Sequence, residues 1–253
     1  MSRIMAHRGA RNLWAENSML GFRNILPHGF DAVEFDVHLT DAGEMVVIHD
    51  ATLDRTTTGS GPVRALTPEA RRALRLKGPD GAVIDECPPL LEDVLALFAT
   101  APSIELWIEL KSDADGIPYT GLVEKAAAAI NATGLDERSA LHSFDISVVE
   151  QVRDVAPDLL RLVSVDARTA KAHGGMAAFL DRVGNLADVV GIHHELFEAE
   201  YDLIADTIGL NHASVWTINT PQLMQHWITR APGFLVSDDP VQLKALMAEG
   251  VPA

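Results

Sequence analysis

The chain has 253 residues, of which 47% are hydrophobic and 22% charged, a composition typical of a globular protein with one large domain or two small ones. Its net charge of −16 argues against sequence-independent binding to nucleic acid or to an anionic membrane surface. No apolar run approaches the roughly 20 residues of a membrane span, and the N-terminal segment MSRIMAHRGA lacks a signal peptide's apolar core. The single cysteine, Cys87, excludes an internal disulfide, so we expect a cytoplasmic protein.

Short apolar runs alternate with longer helical patterns along the whole chain. The predicted strands are residues 3–7, 32–37, 45–48, 104–110, 140–143, 160–164, 188–192, 213–216 and 234–236. The predicted helices are residues 18–28, 90–100, 121–134, 146–156, 175–185, 199–209, 221–228 and 240–250. Continuous apolar strands that alternate with helices predict a parallel sheet covered by helices on its faces.

The strand at 45–48 differs from the others, because the turn Asp41-Ala42-Gly43 makes it a hairpin partner of the strand before it. The eight strands that remain, over a length near the ~250 residues of a (β/α)₈ barrel, predict a single-domain TIM barrel over residues 1–253 with a β-hairpin extension after strand 2. The alternative, an open doubly wound sheet, lacks a G-x-G-x-x-G loop after its first strand. Residues 51–89, rich in Thr, Gly and Pro, are predicted to cross one mouth of the barrel.

Polar residues stand at the carboxyl ends of the predicted strands, where barrels carry their chemistry. Glu34 and Asp36 project from one face of their strand because they are two residues apart, and Glu109 follows on another strand. Such an all-oxygen ligand set suits Mg²⁺ or Ca²⁺ better than Zn²⁺. The alternative is a structural network in which these acids pair with Arg8 and Lys111.

Two histidines at strand ends, His7 and His49, fit an acid–base pair, because an imidazole titrates at about pH 6.5. A structural role is the alternative for each. The other histidines are interpreted as having no chemical role: His142, His193 and His194 at the mouth, His38 at the hairpin turn, and His28, His173, His212 and His226 on the surface.

Four further residues are candidates for contact with an anionic substrate. Arg8 offers a planar fork of donors to phosphate, or a salt bridge to a carboxylate, and Lys111 can hold a substrate oxygen. Asn17 can donate to a phosphate or act as a helix N-cap. Trp216 can form a pocket wall or only pack.

These residues lie in segments that resemble the glycerophosphodiester phosphodiesterases, a family with a TIM-barrel fold. The matching segments, in the family's order, are AHRGARNLWAENSMLGF, GFDAVEFDVHLTDAGEMVVIHDATLDRTTTGSG, PLLEDVLAL, WIELK, HSFD, WTIN and VSDDP. They cover nearly the whole chain, and their combination is far more specific than His-Arg-Gly alone. Ser18 and Ser237 stand where the family commonly has Thr, and the short segment before PPLLEDV leaves no room for an inserted capping domain.

The resemblance implies roles for the residues singled out above. It implies a divalent metal held by Glu34, Asp36 and Glu109, an acid–base pair of His7 and His49, phosphate contacts from Arg8 and Lys111, and substrate contacts from Asn17 and Trp216. The expected reaction is metal-dependent hydrolysis of a small-molecule glycerophosphodiester to glycerol 3-phosphate and an alcohol.

Three alternatives remain open at this point. The first is a related barrel phosphodiesterase that acts on another diester, such as a phospholipase D-like or sugar-phosphodiester enzyme. The second is a non-catalytic protein that binds phosphodiesters, and the third is a structural barrel with a salt-bridged mouth. Of the two histidines, we expect His49 to be the general acid and His7 the base.

Overall fold

The predicted TIM barrel is confirmed by a computed structural model, which describes residues 2–249. Its strands are β1 (Arg3–His7), β2 (Ala32–Leu39), β3 (Met45–Val47), β4 (Glu105–Leu110), β5 (Ser139–Ser143), β6 (Leu160–Val165), β7 (Val189–His193), β8 (Ala213–Trp216) and β9 (Phe234–Ser237). The parallel ring runs β1-β9-β8-β7-β6-β5-β4-β2 and is closed by pairing of β1 with β2. The short strand β3 pairs antiparallel with β2 outside the ring, which is the hairpin extension expected from the sequence.

Eleven α-helices within residues 2–249 surround the ring or follow its strands. They are α1 (Met19–Ile25), α2 (Pro68–Ala73), α3 (Leu91–Ala99), α4 (Leu122–Thr133), α5 (Ile146–Val155), α6 (Ala167–Ala172), α7 (Met176–Val183), α8 (His194–Ala199), α9 (Tyr201–Ile208), α10 (Pro221–Arg230) and α11 (Pro240–Glu249). Residue 250, the end of the last predicted helix, and the predicted domain's residues 1 and 250–253 lie outside the described residues. No described helix is long and apolar enough to cross a membrane.

The interior of the barrel has an apolar floor. Its buried side chains alternate with outward-facing ones along the strands, as the period of two requires. The floor consists of Met5, Ala32, Trp107, Ala140, Leu162, Val189, Phe234 and Val236. The rings of Trp107 and Phe234 meet edge to face with centroids 4.9 Å apart. Two residues further along several strands, the inward positions become polar, so the chemistry lies above this floor.

The loop between β1 and α1 is held close to the barrel by a glycine. Ser18 caps α1 by accepting a hydrogen bond from the backbone N–H of Gly21 at 2.9 Å. A Cβ atom on Gly21 would lie 2.8 Å from the carbonyl oxygen of Gly9, so only glycine fits this contact. The loop therefore keeps the residues that follow His7 near the mouth of the barrel.

The long segment after β3 folds back on itself. A small apolar cluster packs the segment against β3 and is made of Val46, Ile48, Leu53, Val63 and Leu66. Isolated β-bridges join Thr52 to Pro62 and Lys77 to Val83. The segment brings charged residues from far along the chain to the β1–α1 loop, where Arg55 contacts Glu16.

Candidate active site

A cavity of about 120 Å³ lies at the carboxyl ends of the barrel strands. Every strand of the ring supplies at least one of its lining residues, which are Met5, His7, Arg8, Glu34, His49, Trp107, Glu109, Lys111, His142, Phe144, Leu162, Ser164, Gly191, Ser214, Trp216, Thr217 and Val236. This set includes seven of the predicted site residues, namely His7, Arg8, Glu34, His49, Glu109, Lys111 and Trp216. The other two, Asp36 and Asn17, are buried beside the cavity.

Strand register brings the acidic residues together. Glu34 is opposite His7, and Asp36 is opposite Glu109 on the neighbouring strand. Glu109 is in turn opposite His142, so the inward polar positions of four adjacent strands form one patch. All three carboxylates are at most 8% exposed. Carboxylates in such a place need cations or a metal to offset the cost of burial.

Two cations and an amide hold Asp36. Lys111 Nζ lies 3.0 Å from its Oδ1, and Arg8 Nε lies 3.3 Å from its Oδ2. Asn17 Nδ2 donates to the same Oδ2 at 2.8 Å. The salt bridge considered for Arg8 is therefore formed, whereas the N-cap considered for Asn17 is supplied by Ser18 instead. Contact of Arg8, Lys111 and Asn17 with phosphate stays a prediction.

The acids differ in their tendency to bind a proton. Burial, followed by the charge of Asp36, raises the pKa of the Glu34 carboxyl well above its usual value. Burial would also raise the pKa of Asp36, but Lys111 and Arg8 outweigh it and hold that pKa well below its usual value. Lys111 similarly lowers the pKa of Glu109 against the effect of burial, and Lys111 Nζ donates to Glu109 Oε1 at 2.6 Å. Of the three carboxylates, Glu34 is thus the one whose burial is least offset by neighbouring cations.

Glu34, Glu109 and His142 each present a ligand atom, and these atoms lie within 4.8 Å of one another. Among the described residues, Glu34 Oε2 and His142 Nε2 are buried without a hydrogen-bond partner. Burial lowers the pKa of His142 to about 4, which keeps its imidazole neutral and able to act as a ligand. Two carboxylates, an imidazole and a nearby third carboxylate fit a divalent cation. The sequence expected His142 at the mouth without a chemical role, but its Nε2 lies in this ligand group.

The two predicted catalytic histidines face the same cavity, and each has a carboxylate behind it. His7 Nδ1 forms a short hydrogen bond with Asp238 Oδ1, and His49 Nδ1 forms one with Asp50 Oδ1 at 2.7 Å. A carboxylate accepts from Nδ1–H, which leaves Nε2 of each ring available for proton transfer. His7 Nε2 lies 3.6 Å from Glu34 Oε2, at the edge of the ligand group.

Charged residues that sequence reasoning missed connect the two histidine–carboxylate pairs. Arg11 Nε donates to Asp238 Oδ2 at 2.7 Å, and Arg55 Nε donates to Asp50 Oδ2 at 2.7 Å. Arg55 also donates twice to Glu16, at 2.7 and 2.8 Å. Arg11 Nη1 lies 3.8 Å from the same carboxylate. The only local signal for this network is the density of charge in the loops that follow β1 and β3.

His38 was predicted to lie at the hairpin turn, and this is wrong. It belongs to β2 and is 1% exposed, because β2 extends to Leu39 before the turn. Its Nε2 lies 3.0 Å from the backbone oxygen of His49, and its Nδ1 lies 3.0 Å from the hydroxyl of Tyr119. Burial lowers the pKa of His38 to about 4, so the neutral ring donates to the carbonyl and accepts from the tyrosine. His38 thus positions the backbone of His49.

Aromatic side chains form the wall of the cavity that faces away from the carboxylates. Trp216 meets Phe144 edge to face at 5.6 Å and His193 at 5.1 Å. Its indole nitrogen is buried and has no hydrogen-bond partner within residues 2–249. Trp216 lines the pocket, and contact with a substrate stays a prediction.

Comparison with known proteins gives the same family as the sequence motifs. Residues 7–242 match the family model described as the glycerophosphoryl diester phosphodiesterase family. The uncharacterized protein YqiK of Bacillus subtilis is 31% identical over 98% of this chain and 99% of its own. A glycerophosphodiester phosphodiesterase of Caldanaerobacter subterraneus is 28% identical over 98% of both chains.

Solved structures agree with the fold. A structure from Agrobacterium tumefaciens, provisionally assigned to the same family, has a TM-score of 0.88 and 26% identity over 98% of both chains. The structure of an Oleispira antarctica phosphodiesterase, in complex with its product sn-glycerol-3-phosphate, has a TM-score of 0.80 and 22% identity over 98% of this chain and 97% of its own. At that identity the similarity is one of fold. Because the family model spans nearly all of the barrel, the chain belongs to the glycerophosphoryl diester phosphodiesterase family of enzymes.

Proposed function

We propose that the protein hydrolyses glycerophosphodiesters to glycerol 3-phosphate and an alcohol, with one divalent cation and with His7 and His49 as the acid–base pair. The observation that carries this proposal is the convergence of both histidines on one cavity, each with its Nδ1 held by a carboxylate. Family membership supports the same reaction.

Glu34, Asp36 and Glu109 would hold the cation, with His142 close enough to join them. When bound, a divalent cation polarises a phosphate oxygen and lowers the pKa of a nucleophile. We propose Mg²⁺ or Ca²⁺, because oxygen ligands predominate in the set. The buried Oε2 of Glu34, which has no hydrogen-bond partner among the described residues, supports this assignment.

Arg8 and Lys111 would offset the charge on the phosphoryl oxygens. Both cations lie at the cavity and are held by Asp36, so they are fixed in place before a substrate arrives. We propose His7 as the base that takes a proton from the nucleophile, and His49 as the acid that protonates the leaving alkoxide. Trp216 and Asn17 would complete the surroundings of the substrate.

We also propose that residues 1–253 act as a single domain and that the enzyme works in the cytoplasm. The strands of the ring run from β1 to β9 and leave no room for a second barrel or sheet within the described residues. The single cysteine is consistent with a reducing compartment.

Release of glycerol 3-phosphate from glycerophosphocholine and glycerophosphoethanolamine tests the proposal. We expect hydrolysis by the wild type, loss of activity with a chelator, recovery with Mg²⁺ or Ca²⁺, and a fall of at least about a hundredfold in kcat for His49→Ala. His226→Ala, at an exposed histidine on α10, is the matched control and should retain activity.

If the wild type hydrolyses neither diester with either ion, the proposal fails. Hydrolysis of phospholipase D-type or sugar diesters in that case would favour the related phosphodiesterase considered from the sequence. Binding of the diesters without turnover would favour the non-catalytic alternative.

A further inference from the structure

A second, open cleft of about 320 Å³ lies beside the active-site cavity. Its side-chain lining includes Arg11, Glu16, Arg55, Thr56 and Lys77, and the glycine-containing turn at residues 78–81 forms its rim. Three of these side chains are cationic and one is anionic, although the chain as a whole carries a net charge of −16. Cationic side chains thus outnumber anionic ones in the lining of the cleft, on a protein that is acidic as a whole.

The cleft holds hydrogen-bond donors that the fold does not use. Thr56 is 6% exposed, and its hydroxyl has no hydrogen-bond partner among residues 2–249. Lys77 Nζ contacts only the backbone oxygen of Asp54, at 3.2 Å, among the hydrogen bonds of the described residues. The guanidinium of Arg11 uses its Nε to hold Asp238, and its Nη1 lies 3.8 Å from Glu16, beyond hydrogen-bond distance. These spare donors would suit the oxygens of an anion.

The two arginines by themselves do not indicate an anion site, because each is already paired with carboxylates of the protein. Arg55 is paired with Glu16 and Asp50, and Arg11 with Asp238, so their charges are largely offset. Lys77 and Thr56 have no such carboxylate partner within the described residues. A cation and an unpartnered buried hydroxyl on one cleft are the observations that point to a ligand.

The cleft adjoins the site of reaction on the side of both histidines. Arg55 contacts Asp50, which holds His49, and Arg11 contacts Asp238, which holds His7. The carboxylate of Glu16 separates the two spaces, since it lines the cleft while its Oε1 lies 3.4 Å from Arg8 Nη1 in the central cavity. The cavity and the cleft are therefore neighbours, with Arg8 and Arg55 in contact with the same Glu16 carboxylate.

We propose that this cleft binds an anionic group, a carboxylate or a second phosphate, on the leaving alcohol of the substrate. The inference rests on the proposed function, because it assigns a subsite to the alcohol of a glycerophosphodiester. Lys77 and Thr56 would contact the anion directly, and Arg11 would add N–H donors at one side. The enzyme would then favour diesters whose alcohol carries negative charge over neutral or cationic ones.

Glycerophosphoserine and glycerophosphoethanolamine test this directly, because they differ only by one carboxylate. The readout is the ratio of kcat/KM for the serine diester to that for the ethanolamine diester, measured for wild type, Lys77→Gln and Lys77→Glu. We expect the ratio to fall by about threefold in Lys77→Gln, as for loss of one partly screened ion pair, and further in Lys77→Glu. Lys125→Gln, an exposed lysine on α4 outside the cleft, has the same change of charge and should leave the ratio unchanged.

Several outcomes would overturn the proposal. A ratio that is the same in wild type and both Lys77 variants would remove the cleft from substrate recognition while leaving the proposed function intact. An equal fall in Lys125→Gln would assign the effect to net charge alone. If wild type hydrolyses neither diester, the proposed function fails and this subsite fails with it. A phosphate as the anion is tested with the diester whose leaving alcohol is itself glycerol 3-phosphate. The kcat/KM for this substrate should fall in the Lys77 variants as that for the serine diester does.

Discussion

Asp238 and Asp50 each hold one ring nitrogen of a proposed catalytic histidine, and each is itself held by an arginine. This arrangement fixes the tautomer and orientation of each ring, as carboxylates do in other histidine-dependent enzymes. Asp238 is also tied to Asn219, which donates from its side chain at 2.7 Å and accepts from the Asp238 backbone N–H at 3.0 Å. The carboxylate behind His7 is thus the more firmly positioned of the two.

Replacement of that carboxylate should slow the reaction. We expect Asp238→Asn to lower kcat by about a hundredfold, because an amide neither carries the charge that supports His7 nor ensures its tautomer. The measurement is kcat on glycerophosphoethanolamine at neutral pH. Asp239→Asn is the matched control, since the Asp239 side chain accepts the Gln242 backbone N–H at the start of α11, and this variant should retain most of its activity. Equal kcat values for the two variants would argue against a role for Asp238.

The ionisation of Asp238 should also make the free energy of unfolding depend on pH. Burial would raise the pKa of Asp238, but hydrogen bonds and charge from His7 and Arg11 outweigh it and lower that pKa to about 2. Because the pKa of an unfolded Asp is about 3.9, the ionised group stabilises the fold above about pH 4, and this contribution is lost as the pH falls through about 2. The contribution of the ionised Asp238 to the free energy of unfolding is about 2.6 kcal/mol.

Urea unfolding of wild type and Asp238→Asn at pH 6 and pH 3 measures this contribution. We expect the free-energy difference between the two proteins to be larger at pH 6 and to narrow on acidification. A difference that stays constant between the two pH values would contradict the lowered pKa.

Single residues also show the limit of sequence reasoning about the site. Glu34, Asp36 and Glu109 could be found because their strand positions make acids anomalous, and the motifs around them are specific. Arg55 could not be found, because its pairing with Glu16, 39 positions earlier, depends on how the segment after β3 folds back. No local pattern encodes that contact. His142 was placed at the mouth but its approach to Glu34 depends on the register of two strands that are not adjacent.

At the scale of elements, the apolar runs predicted every strand, and the bounds of β1 and β8 agree in full. The main error concerns β2, which was predicted to end at residue 37. Pairing of His38 with Val46 and of Leu39 with Met45 extends the strand to Leu39. That extension comes from contact with β3, which a single-strand pattern does not contain. It explains why a histidine assigned to a turn is buried behind His49.

The helices α2, α6 and α8 were not predicted, and each has only six residues. Fewer than two turns give too little periodicity to separate a helix from a loop. Thr67 and Asp166 accept backbone hydrogen bonds at the starts of α2 and α6, which are ordinary N-cap contacts. Such caps were visible in the sequence, but residues of these types are equally common in turns.

At the scale of the whole molecule, barrel closure creates the site. His7 and Asp238 are 231 positions apart, and they meet because β1 pairs with β9. The number of strands and the length of the chain predicted this closure. The contact between the His7 and Asp238 side chains could not be predicted, because it depends on the three-dimensional pairing of β1 with β9. Closure also places carboxylates from neighbouring strands in one buried patch, which affects stability as well as chemistry.

Binding of the proposed metal should therefore raise the stability of the entire barrel. Burial and Asp36 disfavour the ionised form of Glu34, so a bound cation should stabilise the fold, by about 2.7 kcal/mol at a hundredfold excess over its Kd. We expect Mg²⁺ or Ca²⁺ to raise the Tm of chelator-treated wild type, and Glu34→Gln to lose most of that response. The measurement is thermal unfolding at neutral pH with and without each ion.

Glu105→Gln is the control for this prediction, because Glu105 pairs with Arg3 at the start of β4, away from the cavity. Its Tm should respond to the ion as that of the wild type does. The metal assignment is in error if Glu34→Gln and wild type respond equally.

The apolar floor of the barrel determines where substrate can enter the cavity and where products can leave it. Trp107 and Phe234 close the amino-terminal end of the interior, so the cavity has no passage through the barrel axis. Within residues 2–249, substrate must therefore enter, and both products must leave, at the carboxyl ends of the strands. Glycerol 3-phosphate that stays bound in the cavity therefore blocks entry of the next diester. The rate of turnover cannot exceed the rate at which this product is released.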